Sequence, residues 1–516
     1  MKGCFLLQRR FAFIGHALVI LLKDKYGVTD FCAYVYTRDS FEFLKSQKDI
    51  LYTNLLLDED IHNNYKKEQI DKDYLKWLEK EYGIPNLWLY AETDRIIRFN
   101  QLLREYPYEK SKYNHQDILK IIQSRAKAII DFLEKEKPDF LVLSAIGAIG
   151  SFLLYTIAKK KGIKVLVIRP MSTENRWTLS LSYDNVEYIE DRYKKIKEGA
   201  ENPHSQAARN FLKKFADNPT PYFIDYSPEK QAISTRKQFK FLAPKNLLGS
   251  AWWFIKNNYL YYKNKNKKDY SNIKPWEAVF DKTKRKIRML IGFKNLTDNP
   301  DFTENYVFYP LHYEPEIATL LLAPFFTDQL WLVKQIAKSL PFDYKIYVKE
   351  HPAMVGYRPR SFYKELKKIP NLKLVSPSVK SFSLINGAKI VATITGSVGW
   401  ESSLLKKPVI TFGKIFFNNL STVKNCTDIT KLPSVLKDHI DNHKYDEKEL
   451  VDFVSAIFSE SVNVDIAQMW EVEGGSKYKE RSPELVPFVD FLASKLGLKE
   501  ESKIQTKSNY HLDKPL

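Results

Sequence analysis

Apolar residues along this chain fall into short strand-like runs separated by stretches of helical period, and the alternation occurs twice. In the first series the runs Cys4–Gln8, Asp30–Tyr36, Asp139–Ser144 and Lys164–Arg169 predict strands, with helices over 11–23, 115–136 and 150–160. The second begins near 305 and reads "YVFYP", a helix around 326–339, "YKIYVKEHP", a helix around 360–368, "NLKLVSP", a helix near 380–387, "AKIVATI", a helix near 398–405, and "PVITFG". Strands that alternate with helices in this way build parallel sheets with right-handed crossovers. Two such series predict an α/β protein of two Rossmann-like halves that face one another.

Between the series the pattern breaks. "SAWWFIKNNYLYYKNKNKKDY" (250–270) is aromatic and basic at once, and "DKTKRKIRM" (281–289) follows. It reads either as a solvated linker with a helix capping the N-terminal domain or as an interfacial anchor. In the second case the aromatics would sit at headgroup depth and the lysines on anionic lipid. The domain plan is therefore an N-terminal Rossmann-like domain (1–190), a basic aromatic insertion (191–300), a C-terminal Rossmann-like domain (301–482), a C-terminal crossover helix (483–498) and a disordered polar tail (499–516).

At 516 residues the chain exceeds a single core, and 44% hydrophobic with 28% charged residues is a globular composition. No apolar run has the length a membrane span needs. "FAFIGHALVILL" (11–22) follows two arginines, but "KDKYG" after it offers no small-residue cleavage site, so it reads as a buried first helix. Three scattered cysteines show neither metal-ligand nor disulfide spacing, which fits a reducing cytoplasm. The net charge of +19 favours an anionic partner: nucleic acid, an acidic membrane face or a phosphorylated substrate.

Three strand ends carry chemistry. In "TGSVGWE" (395–401), Gly396 and Gly399 would let a ligand approach the backbone, Ser397 supplies a hydroxyl, and the N–H groups of the following helix attract phosphate oxygens. Glu401 is expected in that helix's first turn, accepting hydrogen bonds from neighbouring sugar hydroxyls. In "YKIYVKEHP" (344–352), Pro352 stops the strand; Lys349 and His351 should share one strand face and present two donors to a phosphate. In "VFYPLHYEPE" (307–316), His312, Glu314 and Glu316 follow a strand end, where a carboxylate can act as base or nucleophile toward a sugar. In the N-terminal half, His16, Asp94, Arg95, Ser144 and Arg169 lie near expected strand ends or helix starts and form the candidate acceptor wall.

"FYPLHYEPE", "YVKEHP" and "TGSVGWESSLLKKPVITFG" together resemble the capsule polysaccharide biosynthesis glycosyltransferases, relatives of the bacterial transferases of 3-deoxy-manno-octulosonic acid (Kdo). The resemblance covers roughly 300–420. It implies a GT-B fold with the nucleotide-sugar in the C-terminal domain, His351–Pro352 as an HP motif on the nucleotide side, and Ser397 and Glu401 on the donor. His312 stands where related Kdo transferases carry a glutamine, and the carboxylate spacing differs. The resulting expectation is a cytoplasmic, membrane-peripheral transferase. It would move an acidic sugar from a CMP-linked donor onto a surface glycan or glycolipid, with no cofactor, no metal and no nucleic acid. Three other readings compete. A GT-A enzyme would hold a metal on Asp58 and Asp60 or on Asp71 and Asp73; an epimerase would share the GT-B architecture; a nucleic-acid binder would use the charge of 250–290.

Overall fold

The computed structural model describes residues 1–100, 111–221, 243–472 and 477–500. The tail expected to be disordered lies, from 501 on, outside the described residues. Two sheets organise the chain. The first contains β1 (Lys2–Leu7), β2 (Asp30–Val35), β3 (Asn54–Leu57), β4 (Phe140–Leu143), β5 (Lys164–Pro170) and β6 (Arg176–Ser180). The second contains β7 (Asn305–Pro310), β8 (Tyr344–Lys349), β9 (Leu372–Val375), β10 (Ile390–Thr393), β11 (Val409–Thr411) and β12 (Val423–Asn425). A last short strand, β13 (Val462–Asn463), returns to the first sheet.

The first sheet runs β13-β6-β5-β4-β1-β2-β3, parallel from β5 to β3 and antiparallel at β6 and β13. The second runs β12-β11-β10-β7-β8-β9 and is parallel throughout. Counted within its own half, each begins 3-2-1-4-5, the doubly wound Rossmann order. The near-continuous apolar strands follow from this, since a parallel sheet is covered by helices on both faces. Cys4–Leu7 and Tyr306–Tyr309, for example, are fully buried.

The carboxyl rims of the two sheets face each other. Helix Ile317–Leu322, which follows β7, wedges between them: Leu321 joins the core of the first unit, and Ile317 and Leu322 pack against it. Gly147, just after β4, meets this wedge so closely that a Cβ there would stand 2.4 Å from Ile317 Cδ1. Two facing Rossmann-like units with a cleft between their rims are the expected GT-B architecture, and the fold expectation is borne out.

The middle and end of the chain depart from the expected plan. Helices Glu187–Lys197 and Ser205–Asp217 do not form a linker; with helix Glu447–Ser459 they share a core that includes Trp400 and Phe416 of the second unit. By Val462 the chain is back on the first unit, inside the span expected to be wholly C-terminal domain. Helix Val486–Leu496 then packs on helix Phe11–Tyr26, pinned by Lys25 to Asp490 at 2.7 Å. That packing is why 11–22 is so apolar.

The acidic strings offered as a metal motif are committed elsewhere. Asp58, directly after β3, is fully buried and takes Nε and Nη2 of Arg125 at 2.7 Å each. It also accepts hydroxyls from Tyr34 and from Tyr270, the latter at 2.6 Å. Burial alone would push this carboxyl up, but the Arg125 charge and these donors hold it below the usual range. Asp60 pairs with Arg38, and Asp71 caps helix Lys72–Tyr82 through the N–H groups of Asp73 and Tyr74.

Removing the carboxylate strands a buried guanidinium, a loss of roughly 3–5 kcal/mol. Asp58→Ala is therefore expected to lower the melting temperature by about 10 °C in a thermal scan. A shift within experimental error would mean that the ion pair does not brace the first unit.

Candidate active site at the second sheet

Strand order in the second sheet reverses at β7. The chain leaves it toward β8 and β9 on one side, then crosses to β10, β11 and β12 on the other. Crossovers to opposite faces leave a crevice at the carboxyl ends, the place where open α/β sheets bind ligands. Since β10, β7 and β8 are neighbours, the three motifs meet there.

His312 spans the crevice. Its Nε2 accepts from the Thr393 hydroxyl at 3.0 Å and the Thr395 N–H at 3.3 Å, while its own backbone N–H donates to Gln329 Oε1 at 2.6 Å. The ring is buried, and desolvation, reinforced by nearby His351 and Arg358, lowers its pKa to about 3. With Nε2 engaged on the β10 loop, His312 acts as a bridge between loops, and its buried Nδ1 has no hydrogen-bond partner among the described residues.

Gly396 fits the same contact. A Cβ would lie 2.8 Å from Thr393 Oγ1 and 3.1 Å from His312 Nε2, so a larger residue would push the loops apart. Gly399 is likewise required by protein packing, against Phe417 and Thr393 at 2.9 Å, and not by ligand approach. Ser397 opens helix Ser397–Leu404, whose first N–H groups have no partner within the helix. Glu401 is the fifth residue of that helix, a turn deeper than expected, and is buried.

His351 follows the end of β8, and Pro352 opens the short 3-10 turn Pro352–Met354. The Ala353 N–H donates to His351 Nδ1 at 3.1 Å. In a neutral ring this leaves the proton on Nε2 as a hydrogen-bond donor. Burial, with Arg358 and Lys349 nearby, lowers the pKa to about 4, so the ring is neutral at cellular pH. Lys349 does not stand beside it on a strand face. The strand ends at Lys349, whose buried ammonium donates to Ser381 Oγ at 2.8 Å beneath the rim.

Sequence reasoning missed the residue that ties these loops together. Arg358 is fully buried and donates through Nη2 to Glu314 at 2.8 Å and to the His312 carbonyl at 2.6 Å, while Nη1 pairs with Glu350. Glu350 in turn accepts from Tyr363 Oη at 2.6 Å. The one signal for this was Glu350 beside His351 in a run otherwise built for burial. Glu314 is therefore held by a charged partner, whereas Glu316 opens the wedge helix that meets the facing rim.

On that facing rim, Gln8 Nε2 donates to Ser144 Oγ at 3.1 Å, across the point where the first sheet's order reverses. Asp94 accepts the Ile149 N–H at 3.2 Å at the start of helix Ile149–Lys160, and burial raises its pKa. Arg95 is next to it, partly buried. One expected acceptor residue is elsewhere. His16 is buried among Phe43, Tyr52 and Tyr478, bonded to Tyr52 Oη at 2.9 Å, with its pKa lowered to about 4 by burial. Arg169, near the carboxyl end of β5, stays at this rim and donates to the Tyr183 carbonyl.

Imidazole, helix N–H groups and a buried carboxylate thus meet at one sheet crevice. Residues 304–425, which hold the whole of β7 to β12, match the family described as capsule polysaccharide biosynthesis protein. The resemblance carried by the three motifs is borne out over that span. The chain is similar to Protein FixF of Sinorhizobium fredii (strain NBRC 101917 / NGR234), 29% identical over 143 residues. That match takes in 26% of this chain and 33% of FixF, so it spans about a third of the relative's length. Among solved structures it is similar to the KpsC beta Kdo 2,7 transferase of Thermosulfurimonas dismutans, at 13% identity and a TM-score of 0.35, covering 73% of this chain and 97% of that one. It is also similar to the UDP-GlcNAc 2-epimerase of Neisseria meningitidis, at 13% identity and a TM-score of 0.22, covering 89% and 99% respectively. The fold itself rests on the strand orders described above.

His312 and His351 stay neutral in the folded protein well below the free imidazole value of about 6.5. An unfolded chain takes up those protons first, so stability is held above that value and lost as pH falls from there toward 4. Melting temperature measured across this range should drop, and the drop should be shallower in His312→Gln. An unchanged slope in that variant would show that His312 is not held neutral.

Proposed function

We propose that this protein is a glycosyltransferase of capsule or surface polysaccharide assembly, with the nucleotide-sugar donor in the second-sheet crevice and the acceptor against the first-sheet rim. One observation carries the reading: three motif loops from adjacent strands, joined by His312 and Arg358, converge at the point where the strand order reverses. Phosphate would meet the His351 Nε2–H and the N–H groups that open helix Ser397–Leu404, with the buried Lys349 charge beneath. Glu401 would hold donor hydroxyls. Glu316 is assigned as the base because it opens the wedge helix that enters the core of the facing unit, while Glu314 positions Arg358. The motifs' likeness to Kdo transferases supports an acidic sugar on a CMP-linked donor. A lipid-linked or polymeric glycan fits as acceptor, which would put the enzyme at the inner face of the cell membrane.

Glu316→Gln should lower kcat by roughly 10²–10⁴-fold without a change in melting temperature. His351→Ala and Glu401→Ala should each lower transfer at least about tenfold while the fold is kept, the loss of one charge-assisted or oriented hydrogen bond. Near-normal turnover at saturating donor would remove the role assigned to that residue.

Because the phosphate partners are N–H groups and cations, transfer should survive EDTA; inactivation that added magnesium reverses would show that a metal is required. Thermal-shift measurement against CMP, UDP, GDP and TDP identifies the base, since a ligand of the native state raises apparent stability with its affinity. No shift with any of them would overturn the nucleotide site. Product analysis without acceptor then separates transfer from epimerisation, which yields an altered sugar and needs no acceptor.

A further inference from the structure

Helices Pro244–Lys263 and Pro275–Ile291 form a hairpin outside both cores. No residue of the first helix is buried, although it is rich in tryptophan, tyrosine and leucine. Its most exposed apolar residues recur at helical spacing: Leu248 (72% exposed), Trp252 (68%), Ile255 (62%), Tyr259 (62%) and Tyr262 (61%). Steps of four and three place them on one stripe. Trp276, Phe280, Ile287 and Ile291 add exposed apolar surface on the second helix, which meets the first through Tyr261 and Trp276 at 5.6 Å and through Lys282 over the Trp253 ring at 4.5 Å. A contiguous apolar face of this size on a soluble surface marks a docking site.

Charge chooses the occupant. Residues 244–291 carry twelve Lys and Arg against three acidic residues, and lysines flank the rings, as with Lys263 at Tyr259 and Lys267 at Tyr262. A second copy of this chain would bring the same positive charge to the same face. An anionic bilayer surface satisfies both features, since Trp and Tyr settle at headgroup depth while lysine reaches lipid phosphate. No helix among the described residues is long and apolar enough to cross a membrane, so contact would be in the plane of the surface.

The hairpin is also fixed to both units at their rims. Between its helices, Asp269 takes Arg38 Nε at 2.9 Å and Asn63 Nδ2 at 2.7 Å, and Tyr270 donates to Asp58 after β3. On the second helix, Arg285 lies over the Tyr357 ring at 4.8 Å and Arg288 donates to the Tyr357 carbonyl, on the loop that carries His351. Gly356, at positive φ, lets Met289 approach to where its Cβ would stand 2.4 Å away.

We infer that this hairpin lays its Leu248–Tyr262 stripe on an anionic membrane surface and holds the mouth of the interdomain cleft against the bilayer. That the cleft there receives a lipid-linked acceptor rests on the transferase reading; the docking itself does not.

Flotation of the full chain with phosphatidylcholine vesicles, with and without phosphatidylglycerol, tests it. The protein should float with the anionic vesicles at low salt, less at high salt, and not with neutral ones. Trp252→Ser with Ile255→Ser and Tyr259→Ser, all exposed, should cut binding at least about tenfold, and so should Lys263, Lys265, Lys267 and Lys268→Gln. Melting temperature and nucleotide-induced stabilisation should be unchanged in both. Failure of the parent protein to float with anionic vesicles, or equal flotation of the serine variant, would overturn the inference. So would a parent dimer that the serine variant turns into a monomer, since the occupant would then be a second copy. Because flotation needs no turnover, a failed transferase reading would leave this result intact.

Discussion

A parallel sheet that grows outward from its first strand in both directions must send crossovers to opposite faces, and the gap this leaves cannot be filled by either. The rest of this structure is organised around that gap in the second sheet. It draws the ends of β10, β7 and β8 into one rim, and it requires contacts that keep the loops from spreading. His312 closes the rim on one side, through Thr393 and Thr395, and Arg358 on the other, through Glu314 and Glu350. Both are buried, so each contact is strong in a low dielectric and costly to leave half-made.

This arrangement commits several rim groups to contacts with the protein itself. Gly396, Gly399, His312 and Glu314 are all engaged by protein atoms. The two imidazoles use opposite nitrogens: in His351 Nδ1 is satisfied by the Ala353 N–H, which leaves a donor on Nε2, and in His312 Nε2 is engaged while Nδ1 has no partner among the described residues. Glu401 is buried in the helix whose N-terminus forms one lip of the crevice. The wedge Ile317–Leu322 then couples site to architecture, because the segment that carries Glu316 toward the cleft is the one whose Leu321 enters the core of the opposite unit.

The buried ion pair Asp58–Arg125 has a comparable part in the first unit. It joins β3, helix His115–Glu136 and, through Tyr270, the insertion. The insertion thus has two physical characters: a buried polar anchor at Asp269–Tyr270 and an exposed aromatic hairpin on either side of it. A solvated linker would have neither.

Local periodicity determined much of this protein directly. Helix His115–Glu136, the strands around Asp30–Val35 and Tyr344–Lys349, and the helices Gln329–Ser339, Arg360–Leu366, Ser381–Gly387 and Ser397–Leu404 stand where the apolar pattern puts them, because burial on two faces of a parallel sheet leaves that mark in the order of residues. Proline at 352 and glycine at 396 likewise announce strand ends, which is how the three motif loops could be named. β3, β6, β12 and β13, each at or next to a sheet edge, left no such mark. What only tertiary structure decided is which polar groups are engaged by the protein itself. His312 and His351 look alike in sequence, yet one bridges two loops through Nε2 and the other bonds its own turn through Nδ1, since the difference lies in partners some eighty residues away in one case and two in the other. Arg358, His16 and the return of Val462 to the first sheet were hidden for the same reason: a side chain's partners depend on which segments the fold brings against it, and no local pattern encodes that.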